Sequence, residues 1–229
     1  MCVQFGPSSD VCKMAEEQGG KFSPERCAAM LGRYEQTVAS AVRYVEGLKA
    51  LTARDQLTTH GLAPSLGSFD AKVTIVVFSD FDSPECGRGS AAATSIKNLY
   101  ADQVRLVFRH FPQPGQSAAS PHLAAQASLA AHAQGKFWAY HDILFGNPQA
   151  HDRPALERYA KAVGLDMARF RKALEAKEFA ADVDADIDLG RKVNVKGVPT
   201  MFVNGKPVPF PYGVDELSRV IDGATGDKP

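Results

Sequence analysis

Two short apolar stretches, Lys72 to Ser79 and Val104 to His110, are separated by a segment that opens with Ser83-Pro84 and runs to Tyr100. Each stretch has the length and the β-branched and aromatic content of a strand, and the first is apolar on both faces, as strands inside a parallel sheet are. Ser83 and Pro84 are helix-start signals: a hydroxyl to accept from a free backbone N–H, then a proline whose fixed φ suits the first turn. The chain is therefore predicted to contain a right-handed β-α-β unit, with the second strand parallel to the first. That unit places Cys86 one turn inside the helix.

Helical signals fill the middle of the chain. Ser120-Pro121 opens a segment ending near Gly135, Lys136 to Phe145 follows, Pro154 to Val163 stops at Gly164, and Asp166 caps the next. Phe179, Val183 and Ile187, four residues apart, mark a further helix. Thr200 to Val203 and Lys206 to Phe210 then read as a hairpin turning at Asn204-Gly205, and Val214 to Ile221 as a closing helix.

The amino-terminal part has a different pattern. Residues 9–18 read as a short helix stopped by Gly19-Gly20, and Ser23-Pro24-Glu25 as the start of another. From there Cys27, Leu31, Tyr34, Val38, Ala41, Val45 and Leu48 recur at spacings of 4, 3, 4, 3, 4 and 3, a heptad seam. Residues 52–68, rich in Thr, Gly, Pro and Ser, read as a linker. The organisation expected is a helical hairpin over 1–51, the linker, and a main domain over 69–225 with a helical insertion at about 118–193.

Among known families the chain resembles the DsbA-like branch of thioredoxin-fold disulfide oxidoreductases. The resemblance covers about residues 66 to 223 and rests on four stretches in the expected order: Leu66 to Phe81, Val104 to Pro112, Gln134 to Phe145, and Gly197 to Gly205. It implies an α/β thioredoxin fold with a helical insertion, and a cis Val198-Pro199 bond facing the helix that carries Cys86. Where that family has Cys-x-x-Cys, this chain has Ser83-Pro84-Glu85-Cys86, so one sulfur of the redox couple is missing. The candidate site residues are Ser83 and Cys86, with Pro84, Glu85, Val198 and Pro199 for substrate. An extended polypeptide or a small thiol is the expected partner, and an extracytoplasmic location is implied by the relatives.

Each candidate has a plain structural role beside the chemical one. Ser83 is a good helix cap without any catalytic function; chemically, its hydroxyl would donate to a thiolate on a small thiol, as in the kappa-class glutathione transferases, which a Ser-Pro at this place also resembles. Cys86 is either a small buried hydrophobe or a single thiol that forms mixed disulfides or sulfenic acid. The helix end favours its thiolate and Arg88 adds to this, whereas Glu85, Asp80 and Asp82 oppose it. The backbone of a cis-proline loop can hold an extended chain by strand addition whatever the redox state, so a binding or chaperone-like role is the main alternative to an enzyme. Gly87 and Gly89 imply a looser helix start or the close approach of a partner.

Other functions are excluded. Lys plus Arg equals Asp plus Glu at 26 each, so there is no electrostatic footprint for nucleic acid. No apolar run is long enough to span a bilayer. Met1 to Pro7 lacks the basic start and apolar core of a secretory leader, so export would mean that a leader had been removed. No cofactor and no metal are expected. The histidines fall in no ligand pattern, and the aspartates at 182, 184, 186 and 188 lack the glycine and the bidentate glutamate of a calcium loop. Cys2, Cys12 and Cys27 match no zinc spacing and point to a structural disulfide; Cys12–Cys27, Cys2–Cys12 and Cys2–Cys27 all remain open.

The seam from Leu31 to Leu48 exceeds what a ten-residue partner helix can bury, which predicts a homo-oligomer through residues 24–50. Val38→Glu is expected to dissociate it without unfolding the main domain. Light scattering at micromolar concentration checks this, and a compact monomer from the unaltered chain would contradict it.

Overall fold

The computed structural model describes residues 57, 63–113, 121–148 and 150–225. By its contacts the chain divides into Met1–Leu51 and Thr52–Pro229. The helical hairpin, the seam and the three amino-terminal cysteines lie outside the described residues.

The main unit is built on a five-stranded sheet. Its strands are β1 (Ser65–Leu66), β2 (Val73–Ser79), β3 (Val104–His110), β4 (Thr200–Val203) and β5 (Lys206–Pro207), in the order β1-β3-β2-β4-β5. β2 runs parallel to β3, with Val73 opposite Val104 and Ser79 opposite His110. The crossover between them is α1 (Pro84–Leu99). β4 returns antiparallel on the other side of β2, with Phe78 opposite Thr200. The hairpin turns where expected: Asn204 and Gly205 both have positive φ, 46° and 74°, which is the backbone of a two-residue turn.

The sheet begins earlier than composition suggests. Ser65 and Leu66 pair antiparallel with Val107 and Leu106, so the end of the stretch expected to be a linker is an edge strand. Two residues are too few to carry a periodic signal. Leu57, in the same stretch, is fully buried. β5 is shorter than expected: Pro207 has no N–H to give the ladder, and the pairing stops after the Val208 N–H, which donates to the Met201 carbonyl at 2.9 Å; a second cis bond, Phe210–Pro211, follows.

Alternation along β2 feeds two layers. Val73, Ile75 and Val77 pack with Ala93 and Ile96 of α1 and with Leu217 and Ile221 of α7 (Val214–Thr225). Val76 and Phe78 point the other way, toward Val107, Phe202 and Leu189. Between β3 and β4 the chain inserts α2 (Pro121–His132), α3 (Phe137–Gly146), α4 (Arg153–Ala162), α5 (Met167–Glu175) and α6 (Ala180–Lys192). Asp152 and Asp166 cap α4 and α5 through their side chains. Phe137, Tyr140, Leu144, Leu156 and Phe170 form the insertion core, which reaches Phe108 of β3 and Phe81 in the loop after β2.

The insertion is locked to the sheet by one carboxylate. Asp186 of α6 accepts from Arg109 Nη1 at 2.9 Å, from the His110 backbone N–H at 2.9 Å and from His110 Nδ1 at 3.2 Å. Burial opposes its ionisation, but the bonds and charge of His110 and the charge of Arg109 prevail and hold it below the usual carboxylate range. Asp184 instead faces His122 and Asp188 faces Arg191, so these aspartates serve separate helix contacts.

α6 lies close against the sheet at Gly190, where a Cβ would fall 2.6 Å from two ring atoms of Phe111 and 3.2 Å from Phe78. Gly190→Ala is therefore expected to destabilise the domain by about 1–3 kcal/mol through overpacking. A urea midpoint equal to that of the unaltered protein would contradict this.

Candidate functional site

The motif lies at the carboxyl end of β2, where Asp80–Asp82 leads straight into α1. Ser83 has extended backbone angles, φ −96° and ψ 117°, and its Oγ accepts from the Cys86 backbone N–H at 3.3 Å. It is the helix cap. Its hydroxyl proton points to Glu85 at 3.4 Å, and Glu85 also pairs with Arg88 at 2.8 Å on the exposed face. The hydroxyl is thus committed to its own helix.

Cys86 is fully buried, with 0% of its surface accessible. The Asp80 backbone N–H donates to its Sγ at 3.4 Å. Burial pushes the thiol above its ordinary value, more than the Ser83, Asp80 and Ser79 hydrogen-bonding groups pull it down; the charge of Asp80 adds slightly to the rise. Ser79 Oγ has no hydrogen-bond partner at normal distance, so its effect on the sulfur is that of a nearby hydroxyl rather than a formed bond. The competition among nearby charges expected from the sequence is therefore secondary to desolvation.

The aspartates around the motif are structural in the same sense. Asp80 accepts from the backbone N–H groups of Gln113 at 2.8 Å and Asp82 at 3.0 Å, while burial raises its carboxyl. Asp82 meets His151 Nδ1 in a buried hydrogen bond, and His151 Nε2 faces the Leu144 carbonyl at 3.2 Å. A carbonyl only accepts, so Nε2 carries a proton and the ring ties the motif loop to α3.

The second half of the site is the loop before β4. The Val198–Pro199 bond is cis, and Pro199 is buried. A Cβ on Gly89 would lie 3.3 Å from Pro199 and 3.3 Å from Met201, so Gly89 is what lets the loop rest on α1. The close approach there comes from the chain's own loop. Gly87 faces Phe145 of α3 in the same way, at 3.4 Å. No hydrogen bond among the described residues engages the backbone N–H or carbonyl of Val198.

An open groove of about 480 Å³ runs beside this loop. It is lined by Glu85, Val198 and Pro199 from the expected set, and by Lys196, Phe210 and Tyr212, which sequence reasoning did not single out. Phe210 is 68% exposed and meets Tyr212 edge to face at 5.5 Å. Tyr212 is fixed by the Met201 backbone N–H, which donates to its hydroxyl at 3.3 Å. The available signal was the exposed Phe210-Pro211-Tyr212 run just after a hairpin. Ser83 and Cys86 do not line the groove, and Pro84 is exposed on the first turn of α1. Among the described residues no group of His, Cys, Asp and Glu is arranged to hold a metal ion, and no helix is long and apolar enough to cross a membrane.

A family model described as "Thioredoxin" matches residues 59–223. Among curated proteins, the Na(+)/H(+) antiporter NhaA 3 of Salinispora tropica is 38% identical over 159 residues, 69% of this chain and 24% of the antiporter. The NhaA 1 antiporter of Mycolicibacterium gilvum is 31% identical over 184 residues, covering 79% of this chain and 29% of its own. The chain thus spans only about a quarter of the length of these relatives. Among solved structures, a thioredoxin-like oxidoreductase from Silicibacter pomeroyi matches with TM-score 0.67 and 32% identity over 76% of this chain and 98% of that one. Oxidised BdbD from Bacillus subtilis matches with TM-score 0.64 and 27% identity over 72% and 94%. With the β-α-β unit and the inserted helices in place, the chain belongs to the thioredoxin family and is similar to thioredoxin-like oxidoreductases.

Proposed function

We propose that this chain holds extended polypeptides at the Val198–Pro199 loop and that its Ser83-x-x-Cys86 motif carries at most slow monothiol chemistry. The observation that carries the reading is the Val198 backbone, which none of the described residues engages in a hydrogen bond, beside an open groove edged by an exposed aromatic, Phe210. Free N–H and C=O groups at such an edge support strand addition, and Phe210, Tyr212, Lys196 and Glu85 offer side-chain contacts. On the redox side, closing a disulfide within the motif needs a second sulfur, and the sulfur present is buried and held protonated. The transferase alternative is weakened because the Ser83 hydroxyl is already engaged with Cys86 N–H and Glu85. An extracytoplasmic setting belongs to the same proposal.

The binding test is a titration with an unstructured, reduced polypeptide followed by NMR. Shifts are expected at Lys196, Val198 and Tyr212, with affinity falling several-fold in Phe210→Ala, whose side chain is exposed and whose loss should leave the fold intact. Shifts elsewhere, or none, would sink the binding role.

The redox test is alkylation and mass mapping. Native Cys86 should react at least about tenfold more slowly than after denaturation, and insulin reduction should be undetectable. Because the folded thiol titrates above the ordinary 9.0, it stays protonated where the unfolded thiol ionises. Its contribution to stability is therefore complete below the unfolded thiol's value and is lost as pH rises from there through the higher folded value. Rapid native alkylation would mean an accessible thiol and an active monothiol site.

A further inference from the structure

A second cluster lies on the other flank of α1, outside the motif and the groove. His141 of α3 makes a hydrogen bond at each ring nitrogen: Nε2 is 2.8 Å from Ser90 Oγ, and Nδ1 is 2.8 Å from Asp142 Oδ1. The Asp142 side chain is 77% exposed, and an ionised carboxylate can only accept. Nδ1 therefore carries the proton and Nε2 accepts from the Ser90 hydroxyl. Phe81, Trp138 and Phe145 enclose the ring at centroid distances of 5.9, 5.1 and 4.8 Å. Burial in this apolar surround lowers the affinity of His141 for a second proton, against the opposing pull of Asp142, and so keeps it in the base form. Hydroxyl, neutral imidazole and carboxylate follow one another in the order and tautomer of a base-activated nucleophile.

These groups border a cavity of about 320 Å³ whose other walls are Gly87, Ala91, Thr94 and Phe145. The size is at the lower end for small-molecule sites and suits a short, apolar acyl group. Thr94, one turn beyond Ser90 on the same helix, brings a hydroxyl to the same wall.

We propose that Ser90 is a nucleophile toward small, apolar carboxylic esters, activated by His141, with Asp142 as the residue that positions the imidazole. Ser90 Oγ forms a bond to the carbonyl carbon while its proton passes to His141 Nε2. The ester C–O bond then breaks, and His141 returns the proton to the departing alkoxide. Water attacks the acyl-serine by the same route, giving the carboxylic acid and free Ser90. The backbone N–H groups within α1 are committed to the helix, so the Thr94 hydroxyl is the donor for the developing oxyanion. Each absent donor lowers the rates of acylation and deacylation alike by about 10²–10³; the good leaving group of an activated ester speeds acylation alone, so the acyl-serine accumulates.

The experiment treats the full chain with p-nitrophenyl acetate and maps acetylation by intact mass and peptide analysis. One acetyl group per chain on Ser90 is expected, lost in Ser90→Ala. The more telling variant is Asp142→Asn, which changes an exposed group and leaves the core intact. Its amide N–H would donate to Nδ1 and force the proton onto Nε2, so Ser90 acetylation should slow at least about tenfold, with an unchanged melting temperature and partial recovery in Asp142→Glu. Acetylation confined to lysines or Cys86, or an Asp142→Asn rate equal to that of the unaltered protein, would overturn the proposal.

Discussion

Burial of β2 on both faces is the constraint from which the rest follows. Val73, Ile75, Val76, Val77 and Phe78 are all inaccessible or nearly so, and burial of each such side chain contributes about 1.5–3 kcal/mol. A strand so buried needs partners at both edges and cover on both faces, which β3, β4, α1, α7 and α6 supply. The register then decides where the site lies. Because β4 is antiparallel with Thr200 opposite Phe78, the start of β4 and the end of β2 share one end of the sheet. Pro199 is delivered beside the helix that begins five residues after β2 ends, and Gly89 provides the space.

Desolvation then separates two buried acids. Asp186 and Cys86 are both withdrawn from water, yet Asp186 remains below its ordinary carboxylate range and Cys86 is pushed above its ordinary thiol value. The difference lies in the partners. Asp186 collects Arg109 and two donors of His110. Cys86 has the Ser83 hydroxyl and one backbone N–H at 3.4 Å, together too weak to outweigh its burial. Burial without a charged partner leaves the thiol neutral, whatever the formal charges nearby.

The inserted helices do more than enlarge the domain. α3 sends Phe145 against Gly87, His141 against Ser90 and, through the Leu144 carbonyl, receives the His151 that holds Asp82. The helix bearing the motif is thus clasped by the cis-proline loop on one flank and by α3 on the other. The small residues Gly87 and Gly89 are the contact points of that clasp.

The order of elements was legible from the chain alone, because caps, turns and apolar periods are local: Ser83 and Pro84 start α1, Asp152 and Asp166 start α4 and α5, and Asn204-Gly205 turns the hairpin. The Ser83-x-x-Cys86 spacing was likewise plain in the sequence. Not legible were β1, too short to show a period, and the roles of Asp186, Lys196, Phe210 and Tyr212. Nor was the meeting of Ser90 with His141, 51 positions apart. The sequence by itself determined the β-α-β core, the inserted helices and the Ser83-x-x-Cys86 spacing. Only the tertiary structure decided that Cys86 is sealed from water and that a groove opens at Val198. Those properties depend on which distant side chains close over a group, and local pattern carries no record of that.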